Sequence, residues 1–207
     1  MINKTSLRHN SSQDSSGNVY VEFHCEESLW DGKGTCTFQD GSIYSGAFKA
    51  DCFHGLGTLT WPDGSRYEGQ WDNDLPHVRG TMLLQEGYRS EGEWRNGVAE
   101  GSGTETMPDG GRYMGQWRNG LRNGHGEMVF ADGKKYDGEW KDGIQHGKGV
   151  LFFTDGSRYE GEWEQNRLTG QGSLIFWDGK IHRGEWKEHE FKVIEVLWID
   201  KPETTLP

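Results

Sequence analysis

Aliphatic side chains, proline, cysteine and positive charge are all in short supply in this sequence, and each shortage removes a class of protein. Only 32% of its 207 residues are hydrophobic, and the mean hydropathy is −0.89. No apolar run is long enough for a transmembrane helix, and residues 1–18, MINKTSLRHNSSQDSSGN, lack the apolar stretch of a signal peptide. A cytoplasmic location is therefore expected. Cys25, Cys36 and Cys52 are odd in number and form no CxxC, which suits a reducing compartment and argues against a disulfide scaffold. With 22 Lys and Arg against 33 Asp and Glu, the net charge of −11 opposes nucleic-acid binding and weighs against anionic lipid. The 5 prolines and the lack of a Gly-X-Y triplet exclude collagen despite 32 glycines. What remains is aromatic: 10 Trp, 7 Tyr and 9 Phe supply buried area that a disordered acidic polymer lacks.

Those aromatics recur. A spacing of 23 residues runs without insertion from about residue 21 to residue 189, and its clearest copy is YDGEWKDGIQHGKGVLFFTDGSR at 136–158. Copies start near 21, 44, 67, 90, 113, 136 and 159, with a truncated eighth at 182. The first column holds Tyr44, Tyr67, Tyr113, Tyr136 and Tyr159. The third is Gly, and the fifth is Phe48, Trp71, Trp94, Trp117, Trp140, Trp163 and Trp186. A GxG pair follows, such as Gly55 with Gly57 or Gly147 with Gly149, then a β-branched and aromatic run and a closing Asp-Gly.

YxGxW alternates as a strand does, with its Tyr, Gly and Trp on one face and acidic residues on the other. Asn96-Gly97, Asn119-Gly120, Asp142-Gly143 and the closing Asp-Gly pairs are hairpin signals of the φ > 0 kind. Two turns per copy give two antiparallel strands, and no segment shows helical periodicity with caps. The expected fold class is all-β: an elongated single antiparallel sheet of consecutive hairpins, about seven repeats long, in which each repeat touches only its neighbours. The GxG pairs leave gaps in one face, so aromatic rings are expected to lie over glycine backbone. The organisation follows: a disordered tail at 1–18, the repeat domain at 19–190, and a capping segment with tail at 191–207. FKVIEVLWI at 191–199 is apolar on both faces and is expected to cover the open edge of the last hairpin.

YEGEW, HGKG and PDGS, in phase over seven copies, resemble the MORN repeat (membrane occupation and recognition nexus), and TWPDGSRYEGQW at 60–71 is close to its consensus. The resemblance implies a non-enzymatic, elongated β-sheet scaffold without cofactor, of the kind found in ciliary, flagellar and other cytoskeletal proteins, axonemes included, and at membrane junctions. It also implies a protein partner, such as a helix or strand of a cytoskeletal or ciliary assembly. The partner-binding residues expected are Tyr67, Trp71, Trp94, Tyr113, Trp117, Tyr136, Trp140, Tyr159 and Trp163. The alternative is a phospholipid-binding, membrane-tethering module, whose anion contacts would be the basic column Arg66, Arg89, Arg112, Lys135 and Arg158. That column could instead pair with neighbouring acids such as Glu68, Asp137 and Glu160.

Other constellations read as structural. Glu91 with Glu93, Asp137 with Glu139 and Glu160 with Glu162 resemble an acid/base dyad, but a catalytic pair is needed once and a solvated face in every copy. His54, His77 and His146 occupy one column beside a turn, and neither they nor His24, His125 and the cysteines have zinc-finger spacing. No helix follows the GxG pairs to make a phosphate cradle. Pro76, Val78 in place of the first Gly of its pair, MLLQEGYR at 82–89 and Ser90 depart from the pattern and are expected to loosen or bend the sheet near 76–90. Phe23 and Cys25 replace Gly and Trp in the first copy, as befits a terminal cap.

Overall fold

The structure, a computed structural model of the chain, describes residues 31–187 and 190–199, together with the backbone of strands β1 (Asn10–Gln13) and β2 (Val19–Glu22), which form an antiparallel pair. The rest of the expected tail at 1–18, His24, the substitutions at Phe23 and Cys25, and the segment after Ile199 lie outside the described residues.

The chain divides into two units, Met1–Pro108 and Asp109–Pro207. In the first, β3 (Gly32–Thr37), β4 (Ile43–Lys49), β5 (Cys52–Thr60), β6 (Arg66–Asp72), β7 (Leu75–Leu83), β8 (Arg89–Arg95) and β9 (Val98–Thr106) pair strictly in chain order, each antiparallel to the next. The second repeats the scheme with β10 (Arg112–Arg118), β11 (Leu121–Val129), β12 (Lys135–Lys141), β13 (Ile144–Phe152), β14 (Arg158–Glu164), β15 (Arg167–Ile175), β16 (Lys180–Lys187) and β17 (Glu190–Trp198). The fold is thus all-β, built of consecutive hairpins with one strand pair per 23-residue copy, as the sequence implied.

The two turns of each copy differ in kind. At Asn119-Gly120 and Asp142-Gly143 both residues have positive φ, 51° with 76° and 49° with 86°, which matches the right-handed twist of the flanking strands. In the closing Asp-Gly turns only the glycine is left-handed, as at Gly64 (φ 86°) and Gly156 (φ 85°). The aspartate there serves through its side chain: the N–H two residues on donates to Asp40, Asp63, Asp132, Asp155 and Asp178 at 2.8–3.1 Å. The carboxyls of Asp40, Asp132 and Asp155 are held below the usual range, chiefly by the backbone N–H of Ser42, the side chain of Lys134 and the hydroxyl of Ser157 respectively, with the backbone N–H of Lys134 and Ser157 adding to the last two. Successive copies are also tied at their tips, where Phe53 N–H donates to Asp74 at 2.7 Å and Gln145 N–H to Asn166 at 2.8 Å.

The irregular stretch near 76–90 leaves β7 continuous. Val78 takes φ 62°, almost the value of its glycine counterparts Gly55 and Gly147 at 63°, and pairs with Trp94 as Gly147 pairs with Trp163. The missing glycine is replaced by a strained valine and the ladder runs on.

Candidate binding face

Each repeat tyrosine lies flat along its own hairpin. A Cβ added to Gly149 would stand 2.5 Å from the Tyr136 ring, one at Gly57 2.2 Å from the Tyr44 hydroxyl, and one at Gly80 2.1 Å from that of Tyr67. Only glycine leaves room for the ring. The hydroxyl then donates to the backbone carbonyl three residues on: Tyr44 to Ala47 at 2.8 Å, Tyr113 to Gln116 and Tyr136 to Glu139 at 2.9 Å, and Tyr67 to Gln70 at 3.2 Å. Trp71, Trp140 and Trp163 are each edge-on to the tyrosine of their own copy and to that of the copy before, so Tyr136 has Trp140 at 5.3 Å and Trp163 at 5.0 Å. The indole N–H donates back to a glycine carbonyl, Trp71 to Gly57, Trp94 to Gly80, Trp140 to Gly126 and Trp163 to Gly149, at 2.9–3.2 Å.

This packing changes what the aromatic column can do. Tyr67, Tyr113, Tyr136 and Tyr159 are 0% exposed, and Trp71, Trp140 and Trp163 no more than 5%. Burial pushes the hydroxyls of Tyr44, Tyr67 and Tyr136 well above their usual pKa and that of Tyr159 up to about 12. Seven of the nine expected contact residues are therefore interior, their surface already spent on glycine backbone and on each other; Trp94 and Trp117 remain half-buried. The copy at 90 has no ring in this column. Ser90 faces Glu105 where other copies set a tyrosine against Leu59, Met82 or Met128, and Tyr88 donates to the Glu105 carboxylate.

The opposite face carries the charges, and its carboxylates have assigned tasks. In two of the pairs the second acid caps a bulge: the N–H of Lys148 donates to Glu139 at 3.0 Å and that of Ser102 to Glu93 at 3.3 Å, while Gln116 takes His125 N–H at 3.2 Å. The gap over Gly147 is thus filled by the Glu139 carboxylate; the ring that sequence reasoning placed over the glycine pair sits over Gly149. The first acid pairs with the basic column, in Arg66–Glu68 at 3.3 Å, Arg89–Glu91 at 2.5 Å and Arg158–Glu160 at 2.6 Å. Lys135 takes Glu127 at 3.0 Å, leaving Asp137 to His125 at 3.3 Å. Four of the five basic rungs therefore carry a carboxylate, while Arg112 is followed by Met114 where the others have an acid. His54 contacts Asp72 at 3.3 Å and the ring of His77 accepts Asn96 N–H at 3.4 Å, so both brace turns. Among the described residues, no His, Cys, Asp or Glu gather into a group that could hold a metal.

In the second unit this face opens into a groove of about 490 Å³. Its floor is the backbone of Gly149, Gly161, Gly172 and Gly184 on four successive strands, and its walls are Lys148, Val150, Glu160, Glu162, Gln171, Ser173 and Arg183. Of these wall residues, sequence reasoning assigned Glu160 and Glu162 to a solvated face; the period-2 pattern shows which face they share but not that the glycine row sinks between them.

The chain belongs to the MORN repeat family, whose model matches residues 27–43, 44–66, 67–87, 91–112, 113–135, 136–158 and 159–181. Comparison with curated proteins finds no match. Among solved structures, the TCP domain of Drosophila melanogaster SAS-4 (dCPAP), in complex with a proline-rich motif of Ana2 (dSTIL), is similar over 90% of this chain and 97% of its own, with a TM-score of 0.50 and 12% identity. The TCP10 domain of Danio rerio CPAP matches over 92% of this chain and 95% of its own, with a TM-score of 0.36 and 14% identity. At 12% identity the likeness to the SAS-4 domain is one of fold alone.

Proposed function

We propose that the chain is a non-enzymatic repeat scaffold that holds a partner polypeptide, such as a helix or strand of a cytoskeletal or ciliary protein, in the glycine-floored groove of its second unit. The observation that carries this reading is the division of labour between the faces. The aromatics are buried and serve as scaffold, while the groove presents Val150, bare glycine backbone and exposed side chains of both signs. A main chain can approach glycine closely, and Lys148 and Glu162, opposite one another in register, offer paired contacts to a peptide carrying both charges. A phosphate headgroup would find Glu160 and Glu162 in the same wall and four of the five basic rungs already paired. The SAS-4 domain, which shares the fold, was solved with a bound peptide motif, so a short polypeptide is a ligand that a sheet of this kind accommodates.

The test is affinity capture with the full chain and with Lys148→Glu plus Gln171→Arg, two exposed wall positions. Loss of the captured polypeptide by the variant, with an unchanged circular-dichroism spectrum, is the expected result. Equal capture by both removes the groove from the account.

A further inference from the structure

Among the described residues, the second unit ends on β17, whose outer edge has no strand beside it. β17 covers the outer side of β16, as expected for the apolar segment at 191–199, but among the described residues nothing pairs with the outer side of β17 itself. Its side chains are mixed: Glu190, Lys192 and Glu195 are charged, while large apolar groups between and beyond them stand in solvent. Ile194 is 70% exposed, Trp198 62%, Val196 50% and Val193 45%, and no proline interrupts the strand. The outward-facing backbone groups of this nine-residue strand, with apolar side chains on both faces, form a template for another strand. Two blunting devices are present: the charges of Glu190, Lys192 and Glu195, and a bulge at Ile194, where the register slips from Glu195 opposite Arg183 to Val193 opposite Gly184.

That bulge also places Lys192 and Glu195 on the same face although they are three residues apart, since Lys192 stands opposite Glu185, and Glu195 opposite Arg183 two positions along β16. In an antiparallel pair of two identical β17 strands centred between Val193 and Ile194, each Lys192 faces the other copy's Glu195, and Phe191 faces Val196. The strand is thus self-complementary in charge and in apolar character, which a two-fold interface requires. We propose that β17 is a self-association edge, through which two copies of this chain join by antiparallel strand pairing. Glu195 also reaches the groove-wall Arg183 at 3.4 Å, but the proposal rests on the edge of β17 and the groove on other strands.

Sedimentation equilibrium of the full chain tests it. The expected result is a concentration-dependent rise from the 23.5 kDa of one chain toward twice that mass. Lys192→Glu and Glu195→Lys each set like charges opposite one another twice, and each alone should weaken association roughly tenfold. Mixing the two variants restores opposite charges at both positions and should recover the parent affinity as a heterodimer. Ile194→Lys with Val196→Lys should leave a monomer with an unchanged circular-dichroism spectrum. A parent chain that is monomeric at about 100 μM, whether or not it binds strands of other proteins, overturns the proposal. So does a dimer indifferent to the charge variants and to their mixture.

Discussion

Gly149→Ala isolates the contact on which the repeat is built. Gly149 is not in the left-handed region, so alanine there brings no backbone strain, and its methyl group would stand 2.5 Å from the Tyr136 ring. Carbon atoms need about 3.5 Å, so the ring must retreat by about 1 Å. It has nowhere to go, being fully buried with Trp140 and Trp163 edge-on at 5.3 and 5.0 Å. The upper bound is expulsion of the ring, equivalent to Tyr136→Ala, at about 3 to 5 kcal/mol. That figure includes about 1 kcal/mol for the hydroxyl bond to the Glu139 carbonyl. With the ring unable to retreat, Gly149→Ala should approach that bound, at about 3 kcal/mol. In a Tyr136→Ala background the added methyl group enters vacated space and should cost nearly nothing, so the two substitutions couple by about 3 kcal/mol. Repeat arrays need not unfold in one step, so the quantity to read is the opening free energy of β12–β14 amides by hydrogen exchange, with urea midpoints beside it. Additivity within about 0.5 kcal/mol would refute the ring-on-glycine account.

Three further outcomes follow from the same geometry. Val78→Gly should raise the urea midpoint, because relief of a left-handed β-branched residue, about 1 to 2 kcal/mol, exceeds the roughly 0.5 to 1 kcal/mol entropic cost of glycine. Alkali should unfold the protein steeply: unfolded tyrosines ionise from about pH 10, while folded Tyr44, Tyr67, Tyr136 and Tyr159 keep their protons to about pH 12 or beyond. The folded state then binds more protons and stability falls with rising pH by about 1.4 kcal/mol per unit for each tyrosine; a flat urea midpoint between about pH 9 and 11.5 would contradict their burial. Liposomes containing phosphatidylserine or phosphoinositide should not co-float the chain at physiological salt, because the rungs Arg66, Arg89, Lys135 and Arg158 already carry carboxylates; salt-sensitive flotation lost on reversing the basic column would favour the lipid reading.

Much of the fold was legible because each 23-residue copy repeats the same local instructions. Paired turns, a period of two and glycines in fixed columns left one arrangement of strands, and the ring-on-glycine packing followed from the need to place a large side chain beside a bare backbone. The sequence did not reveal which partner each side chain would take. Glu139 and Glu93 look like solvated acids beside Asp137 and Glu91, and only the positive φ of Gly147 and Gly101 turns the next N–H toward the carboxylate. Tyr136 and Trp140 look like an exposed anchor pair because a single sheet has no second layer to bury them; the hairpin buries them against itself. Val78 looks like a break, yet it takes the conformation of the glycine it replaces.

The most direct test of the binding account is photo-crosslinking of the full chain to its captured partner, with the reactive side chain installed at Gln171 in the groove wall or at Gln165 on the neighbouring hairpin tip, both exposed. The account predicts a discrete crosslinked polypeptide from position 171 and none from position 165. Crosslinks from the tip alone, or from a probe at half-buried Trp94 while position 171 stays silent, would contradict it.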